Sequence, residues 1–374
     1  MKIAILGDLI QTEILKVDPA IRALLQDTDL NIANLEAPFI RNGMRPANGK
    51  SGLYQKTGNC DILKELNIRM VSLANNHIFD FGPMGLEYTR ELLEKNGIRY
   101  FGAGTNETEA LAAAGIAQGG ETLSCRGFMC KYLSAFDAGK TEPGTAGIQG
   151  ERITALLQND KADYKILYMH WNQEFEDYPE PIYKNAAERI LPYCRIIAGS
   201  HPHCIQGIFS REERHVFYSL GNFSVPNIEY YGCRISTYRP KSYVSFFPIL
   251  SLSREGSEYA LVPYTLSPDG AELYRASGEK AETILQKIRE LSTPLALNAD
   301  AYRKFYRQQR ERKMRKPLTE DHRKNLRNLH RYRRKYQSFV NIERFVAYIL
   351  DKLQLRKGVR RMFKAPIDRM QRTK

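Results

Sequence analysis

The sequence predicts an α/β sheet core followed by a basic helical extension. Short apolar runs alternate with amphipathic stretches through the first 240 residues, which is the rhythm of an α/β fold. The composition is that of a globular protein, with 43% hydrophobic and 26% charged residues. A length of 374 residues exceeds one usual core, so we expect one large domain and an appendage.

The positive charge is concentrated in the last 75 residues. The whole chain carries a net charge of +14, of which residues 300–374 contribute +18 and residues 1–299 contribute −4. A basic chain suggests a nucleic-acid partner, but this argument does not apply to the slightly acidic body. We place the domain boundaries at 1–292 and 299–374.

The elements follow in order along the chain. Six apolar runs are predicted as strands: Lys2–Asp8, Leu30–Glu36, Met70–Asn76, Lys165–Trp171, Arg195–Gly199 and Val216–Leu220. The intervening amphipathic stretches predict helices at Pro19–Gln26, Cys60–Asn67, Gly85–Asn96 and Ala186–Tyr193. Tyr243–Arg254 and Glu258–Leu266 predict an antiparallel hairpin, and Glu279–Leu291 a helix that Pro294 ends.

Targeting and redox signals favour the cytoplasm. The apolar run after Met1 is too short for a signal-peptide core, and no run approaches the 18 apolar residues that a membrane span needs. The six cysteines are scattered without a Cys-x-x-Cys pair, so we expect reduced thiols rather than a disulfide framework.

Polar side chains follow each predicted strand. They include Asp8, Glu36 and four of the seven histidines: His77, His170, His201 and His203. Ligands of α/β sheets bind beyond the carboxyl ends of the strands, so these groups should share one rim. In an extended segment His201 and His203 would point the same way. One such residue alone is usually a cap or a turn residue, but the set predicts a hydrolytic site for Mn²⁺, Fe or Zn²⁺.

Six motifs carry a family resemblance. They are Gly7-Asp8, Asn34-Leu35-Glu36, Ser72-Leu73-Ala74-Asn75-Asn76-His77 followed by Asp80-Phe81-Gly82, His170-Trp171 with Glu174, Gly199-Ser200-His201-Pro202-His203, and Ser219-Leu220-Gly221-Asn222-Phe223. In this order, over residues 1–230, they resemble the bacterial capsule-synthesis, poly-γ-glutamate (CapA-type) family of the calcineurin-like metallophosphoesterase superfamily. The resemblance implies a four-layer αββα sandwich with a metal site at the strand ends.

The resemblance also implies roles for individual residues. The metal ligands would be Asp8, Glu36, Asn76, His170, His201 and His203, with Glu36 bridging two ions. His77 would act as general acid or electrostatic stabiliser, and Asp80 would either orient His77 or cap the following helix. The residues expected to contact substrate or support the ligands are Asn34, Asn75, Glu174, Arg41, Arg45 and Asn222.

One motif departs from the superfamily pattern. The first motif usually reads Asp-x-His, whereas this chain has Asp8-Leu9-Ile10. One metal position therefore lacks an imidazole, so we expect one well-held ion and a second that is weaker or absent. The departure also leaves open whether catalysis is retained and whether the bond is a phosphoester.

Two functions remain open from the sequence. The first is a metal-dependent hydrolase that acts on a phosphoester or amide of an anionic polymer in capsule or surface-polymer metabolism. The second is a non-catalytic metal-binding subunit of a polymer-synthesis complex. The Arg and Lys side chains of the loop Arg41–Asn59 would either bind an anionic or phosphorylated substrate or lie on a solvated surface.

The basic extension carries no chemical motif. Residues 302–334 predict solvated helices. Residues 341–355 place apolar side chains on one helix face, and five cations follow within the next nine residues. Such a helix suits an anionic membrane surface or packing on the body equally well, and nucleic acid ranks last because no binding motif accompanies the charge.

Overall fold

The computed structural model describes residues 1–47, 52–130, 133, 136–225, 228–230, 233–235 and 240–315. The described residues fall into two compact units, one formed by those of 1–228 and 240–299 and the other by those of 229–235 and 300–315. The predicted boundaries, 1–292 and 299–374, stay predictions. The predictions for 341–355 fall outside the described residues.

The first unit contains two large sheets within its described residues. The strands of the nine-stranded sheet, in spatial order, are β2 (Lys16–Val17), β19 (Glu272–Arg275), β18 (Ser257–Leu266), β17 (Val244–Leu252), β1 (Lys2–Leu9), β3 (Leu30–Leu35), β4 (Ile68–Ser72) and β5 (Arg99–Phe101), and β14 (Asn222–Ser224) pairs with the end of β1. Strands β1, β3, β4 and β5 run parallel, whereas β17 pairs antiparallel with β1. The parallel half directs its carboxyl ends to one edge.

The second sheet has six strands in the described part of the chain. Their order is β12 (Ile208–Arg211), β13 (Arg214–Phe217), β11 (Ile196–Ser200), β10 (Tyr164–His170), β8 (Glu121–Met129) and β7 (Ala114–Gln118). The four central strands are parallel and the two edge strands antiparallel. Short pairs are formed by β6 (Ala103–Gly104) with β9 (Gly144–Thr145), and by β15 (Ile228–Tyr230) with β16 (Cys233–Ile235).

Helices lie on the outer face of each sheet. The helices of the described residues are α1 Pro19–Gln26, α2 Asn59–Glu65, α3 Gly82–Lys95, α4 Glu107–Leu111, α5 Gly150–Asn159, α6 Pro181–Ile190, α7 Gly278–Ser292 and α8 Ala299–Arg315. Helix α7 instead adds Ile284, Ile288 and Leu291 to the cluster between the sheets. Helices α1, α2 and α3 pack with Ala4, Leu6 and Ala33 in one apolar cluster. On the second sheet, Lys165 Nζ reaches the carbonyl of Leu157 in α5 at 2.8 Å. The four-layer αββα sandwich is therefore confirmed.

The space between the sheets is filled by alternate strand residues. Ile3, Ile5 and Ile32 from the first sheet meet Ile166 and Tyr168 from the second in a single buried cluster. Successive side chains of a strand point to opposite faces, so every second residue after these also faces the gap between the sheets. At the carboxyl ends of the strands the apolar residues give way to Asn34, Glu36, His170 and Ser200.

A register shift turns Asp8 into the same gap. Ile5 pairs with Ile32, and Asp8 pairs with Asn34, so β1 has one residue more than β3 over this interval. Simple alternation would place Asp8 beside Ala4 and Leu6, on the helix-covered face. The extra residue reverses the parity, as a bulge does, and Leu9 instead packs with the helices.

Several element predictions need correction. The predicted strand Val216–Leu220 is confirmed only at Val216 and Phe217, because β13 ends at Phe217 and the chain then crosses to the other sheet as β14. Asn222 therefore lies at the start of a strand rather than past the end of one. Strand β4 ends at Ser72, so Asn75, Asn76 and His77 occupy the loop beyond it, and Pro294 lies inside a 3₁₀ turn that follows α7.

Some elements were not predicted at all. The hairpin of β7 and β8 turns at Gly119-Gly120, a turn signal in the sequence, but small and polar residues dilute the apolar pattern of its strands. Helix α5 was likewise missed. Among the described residues, none of the helices combines the length and apolar character that crossing a membrane requires.

Asn31 joins four elements of the first layer pair. Its Oδ1 accepts from Ala4 N at 3.0 Å and Thr28 Oγ1 at 2.8 Å, and its Nδ2 donates to the carbonyls of Leu25 and Leu66 at 2.8 and 2.7 Å. The side chain is fully buried. It thus links β1, β3 and the carboxyl ends of α1 and α2.

We expect Asn31→Asp to destabilise the fold by about 3 kcal/mol, because a carboxylate loses both donors and faces two carbonyl oxygens in a buried site. Urea unfolding followed by circular dichroism measures the difference. Asn42→Asp, at an exposed loop position, is the matched control and should stay within about 0.5 kcal/mol of wild type. Equal unfolding midpoints for the two variants would contradict the assigned role of Asn31.

Candidate metal centre

The predicted site residues of both sheets converge at one edge of the sandwich. Asp8 lies beside Asn34 on β3 and beside Asn222 on β14, and His170 lies beside Ser200 on β11. The loops that follow β3, β4, β10 and β11 add the remaining groups. The rim expected from the sequence therefore forms where the gap between the sheets opens.

Asp8 is held by donors from both sheets. Asn34 Nδ2 donates to Asp8 Oδ1 at 2.8 Å, and the backbone N–H of His201 donates to Asp8 Oδ2 at 3.1 Å. Asn75 Nδ2 in turn donates to Asn34 Oδ1 at 3.1 Å, which fixes the orientation of the Asn34 amide. Burial raises the pKa of Asp8 above its ordinary value, although His203 and these donors act in the opposite direction.

Two groups of candidate ligands share Glu36. Within the described residues, Glu36, His170 and His201 bring one potential ligand atom each to within 4.8 Å of one another, and so do Asp8, Glu36 and His203. Glu36 Oε1 lies 3.4 Å from His170 Nε2 and 3.7 Å from His203 Nε2. This placement suits the bridging role that the resemblance implies for Glu36.

The contacts of His170 leave one ring nitrogen for a metal. Its Nδ1 lies 2.9 Å from Ser200 Oγ, and its Nε2 lies 2.8 Å from Asn76 Oδ1. If Nδ1–H donates to Ser200, the lone pair of Nε2 points to the place where Asn76 and Glu36 also present oxygens. Burial, followed by the neighbouring histidines, holds the pKa of His170 well below its ordinary value, so the imidazole is neutral as a ligand must be.

His201 and His203 reach the centre by a different route from the one predicted. Both have positive φ, +91° and +52°, so the segment is a turn rather than an extended strand. Their rings nevertheless lie 5.9 Å apart, and His201 lies 4.7 Å from the ring of His170. Asn222 Oδ1 lies 2.8 Å from His203 Nδ1, an arrangement that leaves Nε2 of His203 facing Glu36.

His77 and Asp80 form a pair beside the ligands. His77 Nδ1 lies 3.1 Å from Asp80 Oδ2, and its Nε2 lies 3.1 Å from Asn76 Nδ2. The structure does not support the alternative that Asp80 caps α3. Phe81 is the N-cap residue of this helix, and no side-chain hydrogen bond caps the helix. Asp80 instead accepts from the backbone N–H of Leu53 at 2.9 Å, which ties the preceding loop to the pair.

The donor set fits a divalent cation. Carboxylate, amide and imidazole groups without a thiolate are typical of Mn²⁺, Fe and Zn²⁺ in hydrolytic sites. Ile10 is buried and apolar, so the position where a histidine would complete an Asp-x-His motif contributes no ligand. The Asp8 position thus has fewer described donors than the Glu36–His170 position, where Asn76 also takes part.

The structure does not bring every predicted residue to the centre. The Arg41 guanidinium pairs with Glu91 at 2.5 Å and lies over the ring of Tyr88, and Arg45 is exposed. Glu174 does join, in a third group with His201 and His203. Ser200 is a residue of the site that the sequence did not predict. Its contact with His170 comes from the pairing of β10 with β11, which a local sequence pattern does not show.

The chain is similar to proteins of capsule synthesis. A family model described as bacterial capsule synthesis protein PGA_cap matches residues 13–227. The capsule biosynthesis protein CapA of Bacillus anthracis is 26% identical over 209 residues, 53% of this chain and 51% of that protein. The PGA biosynthesis protein CapA of Bacillus subtilis is 28% identical over 212 residues, 55% of each chain.

A further relative is a probable polyglutamine synthesis accessory protein of Mycobacterium tuberculosis, 30% identical over 162 residues, 40% of this chain and 42% of that protein. The chain thus spans about half the length of the curated relatives it matches. Among solved structures, a novel phosphatase from Mycoplasma pneumoniae superposes with a TM-score of 0.42 and 14% identity, covering 76% of this chain and 96% of that one. A 5′-nucleotidase precursor from Thermus thermophilus has a TM-score of 0.41 and 14% identity, covering 79% and 59%.

We expect Glu36→Gln to abolish metal binding, because both ligand groups use this carboxylate. Protein reconstituted with Mn²⁺ or Zn²⁺ and desalted would be measured by elemental mass spectrometry. The control Glu91→Gln removes an exposed carboxylate that pairs with Arg41 and should bind as wild type does. A Glu36→Gln protein with the wild-type metal content would contradict the shared-ligand arrangement.

Proposed function

This chain belongs to the bacterial capsule synthesis protein family PGA_cap, and we propose that it is a metal-dependent hydrolase of capsule or surface-polymer metabolism. The observation that carries the proposal is the pair of ligand groups sharing Glu36, with the His77–Asp80 pair beside them. A divalent ion, when bound, would supply Lewis-acid polarisation of a substrate oxygen and activation of a water. The remaining chemistry belongs to side chains of this protein.

His77 is proposed as the proton donor. Asp80 accepts from Nδ1 and thereby directs Nε2 towards Asn76, whose Oδ1 faces the ligand His170. In the structure His77 Nε2 accepts from Asn76 Nδ2; as an imidazolium, His77 would instead turn its Nε2 proton to the leaving group, and the buried Asp80 carboxylate would stabilise the imidazolium before transfer. Asn76 thus links the metal position to the proton donor within one side chain.

The proposed substrate is an anionic polymer that carries a phosphoester or an amide. Support comes from the relatives, whose names refer to capsule and to PGA biosynthesis. The choice between the two bonds remains part of the proposal. The metal would polarise a phosphoryl or an acyl oxygen in the same way, since both develop negative charge in the transition state.

A second candidate is a non-catalytic accessory subunit of a polymer-synthesis complex. The apolar side chain at Ile10 favours it, because the Asp8 position then holds a metal less tightly. The name of the mycobacterial relative, a synthesis accessory protein, points the same way. In this case the centre would bind a polymer group without cleaving it.

The place of action belongs to the proposal as well. We propose a cytoplasmic protein that reaches an anionic membrane surface through its basic extension. The charge of residues 300–374 supports such contact. Sedimentation with anionic liposomes, comparing the full chain with a version that ends at Leu297, tests this part, and equal pelleting would contradict it.

His77→Gln should lower the hydrolysis rate by a factor of about 100 to 10,000 while the metal content is unchanged, because the variant removes the proton donor and no metal ligand. Rates would be measured on phosphoesters and on γ-glutamyl polymers, and the metal content on the same samples. His215→Gln is the control, because His215 on β13 is a second buried histidine, held by Ser210 on β12 and by the carbonyl of Ser257 on β18 of the other sheet.

The result separates the two candidates. A wild-type protein that holds metal and hydrolyses neither class of substrate would exclude the enzyme and leave the accessory subunit. A His77→Gln protein as active as the His215→Gln control would exclude His77 as the proton donor.

A further inference from the structure

Lys241 joins two segments that each support His203. It belongs to a 3₁₀ turn, Pro240–Tyr243, that leads into β17. Its ammonium group donates to the carbonyl of Phe175 and, at 2.9 Å, to Asp177 Oδ1, both in the loop after β10. The side chain is only 30% exposed. The lysine therefore fixes the 3₁₀ turn to the loop.

The loop after β10 supports the turn that carries His203. The backbone N–H of Phe175 donates to the carbonyl of Pro202 at 2.8 Å, and the Phe175 ring lies 6.2 Å from the ring of His203. Phe175, His201 and His203 all have positive φ, +59°, +91° and +52°, which residues other than glycine seldom adopt. Such conformations are strained and persist only where the surrounding structure holds them. The bond from Lys241 to the Phe175 carbonyl is part of that support.

The 3₁₀ turn supports His203 through an amide. Asn222 Nδ2 donates to the carbonyl of Ser242, the residue after Lys241, at 3.5 Å. This bond directs the other end of the amide, Oδ1, to His203 Nδ1 at 2.8 Å. Asp8 Oδ2 lies 3.4 Å from the same ring nitrogen. Both oxygens accept the proton of Nδ1, so Nε2 is the ring nitrogen that remains for an ion.

We propose that Lys241 is a positioning residue for His203, which it orients through the loop after β10 and the 3₁₀ turn together. The inference rests on the metal centre of the proposed function and deepens it. Among the described residues, Lys241 bonds to none of the candidate ligands. Its effect on the centre therefore passes through the two segments that it joins.

The charge of Lys241 matters as well as its bonds. The loop after β10 carries the carboxylates Glu174, Glu176, Asp177 and Glu180 within seven residues. Like charges this close repel one another, and the repulsion is stronger where the groups are shielded from water. The ammonium group of Lys241 offsets it, and a hydrogen bond from a charged donor is stronger than one from a neutral donor. An apolar side chain at this position would lose both effects, whereas arginine would keep them.

The first test is metal binding to the full chain, measured by calorimetric titration with Mn²⁺. Lys241→Met should weaken the binding of the ion held by Asp8, Glu36 and His203 by about 10- to 100-fold, which is the usual effect of losing a residue that orients a ligand. Lys241→Arg keeps a charged donor and should recover most of the affinity. Visible absorption of the Co²⁺-loaded proteins should change for Lys241→Met and not for Lys241→Arg.

The second test needs no metal. Long-range ¹H–¹⁵N spectra of the metal-free full chain report the ring nitrogens of its histidines, and the His203 signals are identified by their loss in His203→Gln. Lys241→Met should shift these signals, because the amide of Asn222 no longer holds the ring in place. The control Lys287→Met removes a half-exposed lysine that pairs with Glu290 on α7, and it should leave them unchanged.

The outcomes separate this inference from the proposed function. Unshifted His203 signals in Lys241→Met, or a Lys241→Met protein with the metal affinity of wild type, would overturn the role of Lys241. A wild type that binds no metal would overturn the proposed function itself. If the His203 signals of the metal-free Lys241→Met protein still shifted, the role of Lys241 in orienting His203 would stand.

Discussion

The site depends on the close approach of two backbone segments at Gly7 and Gly221. The backbone N–H of Asp8 donates to the carbonyl of Gly221 at 3.1 Å, and a Cβ on Gly7 would lie 2.0 Å from that same oxygen. The approach lets β14 pair with the end of β1, where the register shift turns Asp8 from the helix-covered face into the gap between the sheets. Gly221 itself has a φ of +76°, which a side chain would strain. Glycine is thus required at each position before Asp8 can meet Asn222, Asn34 and the histidines of the second sheet.

Once Asp8 faces the gap, the electrostatics of the site follow from burial. Asp8 and Glu36 are both fully buried, and removing two carboxylates from water costs several kcal/mol unless positive charge or donors compensate. Asn34 and the backbone of His201 provide part of this for Asp8. His170 cannot provide it as a cation, because burial keeps its imidazole neutral. A divalent ion is the compensation that this combination of buried carboxylates and neutral imidazoles fits best.

The sequence predicts these residues better than it predicts their geometry. The α/β core, the helix Pro19–Gln26 and the hairpin of β17 and β18 follow from local pattern, because Asp18 caps α1 and the apolar runs are long. The strand-end residues were found because their chemical type is conspicuous. The register shift at Asp8, the crossing of the chain from β13 to β14 and the turn at His201 and His203 were not predictable in this way. Each depends on a contact with a residue distant in sequence, as Gly7 depends on Gly221. The local sequence pattern does not show which distant residue makes the contact.

Some residues of the site are positioned by strands and others by loops. Asp8, Asn34 and His170 are fixed by the pairing of β1, β3 and β10, which a change in one loop leaves in place. His77 is held instead through Asp80, which also binds the backbone of Leu53, and Glu174 through a loop tied to Lys241. Loops tolerate change more readily than paired strands do. The ligands on β1, β3 and β10 should therefore stay in place when a loop is altered, whereas the positions of His77 and Glu174 depend on the loops that carry them.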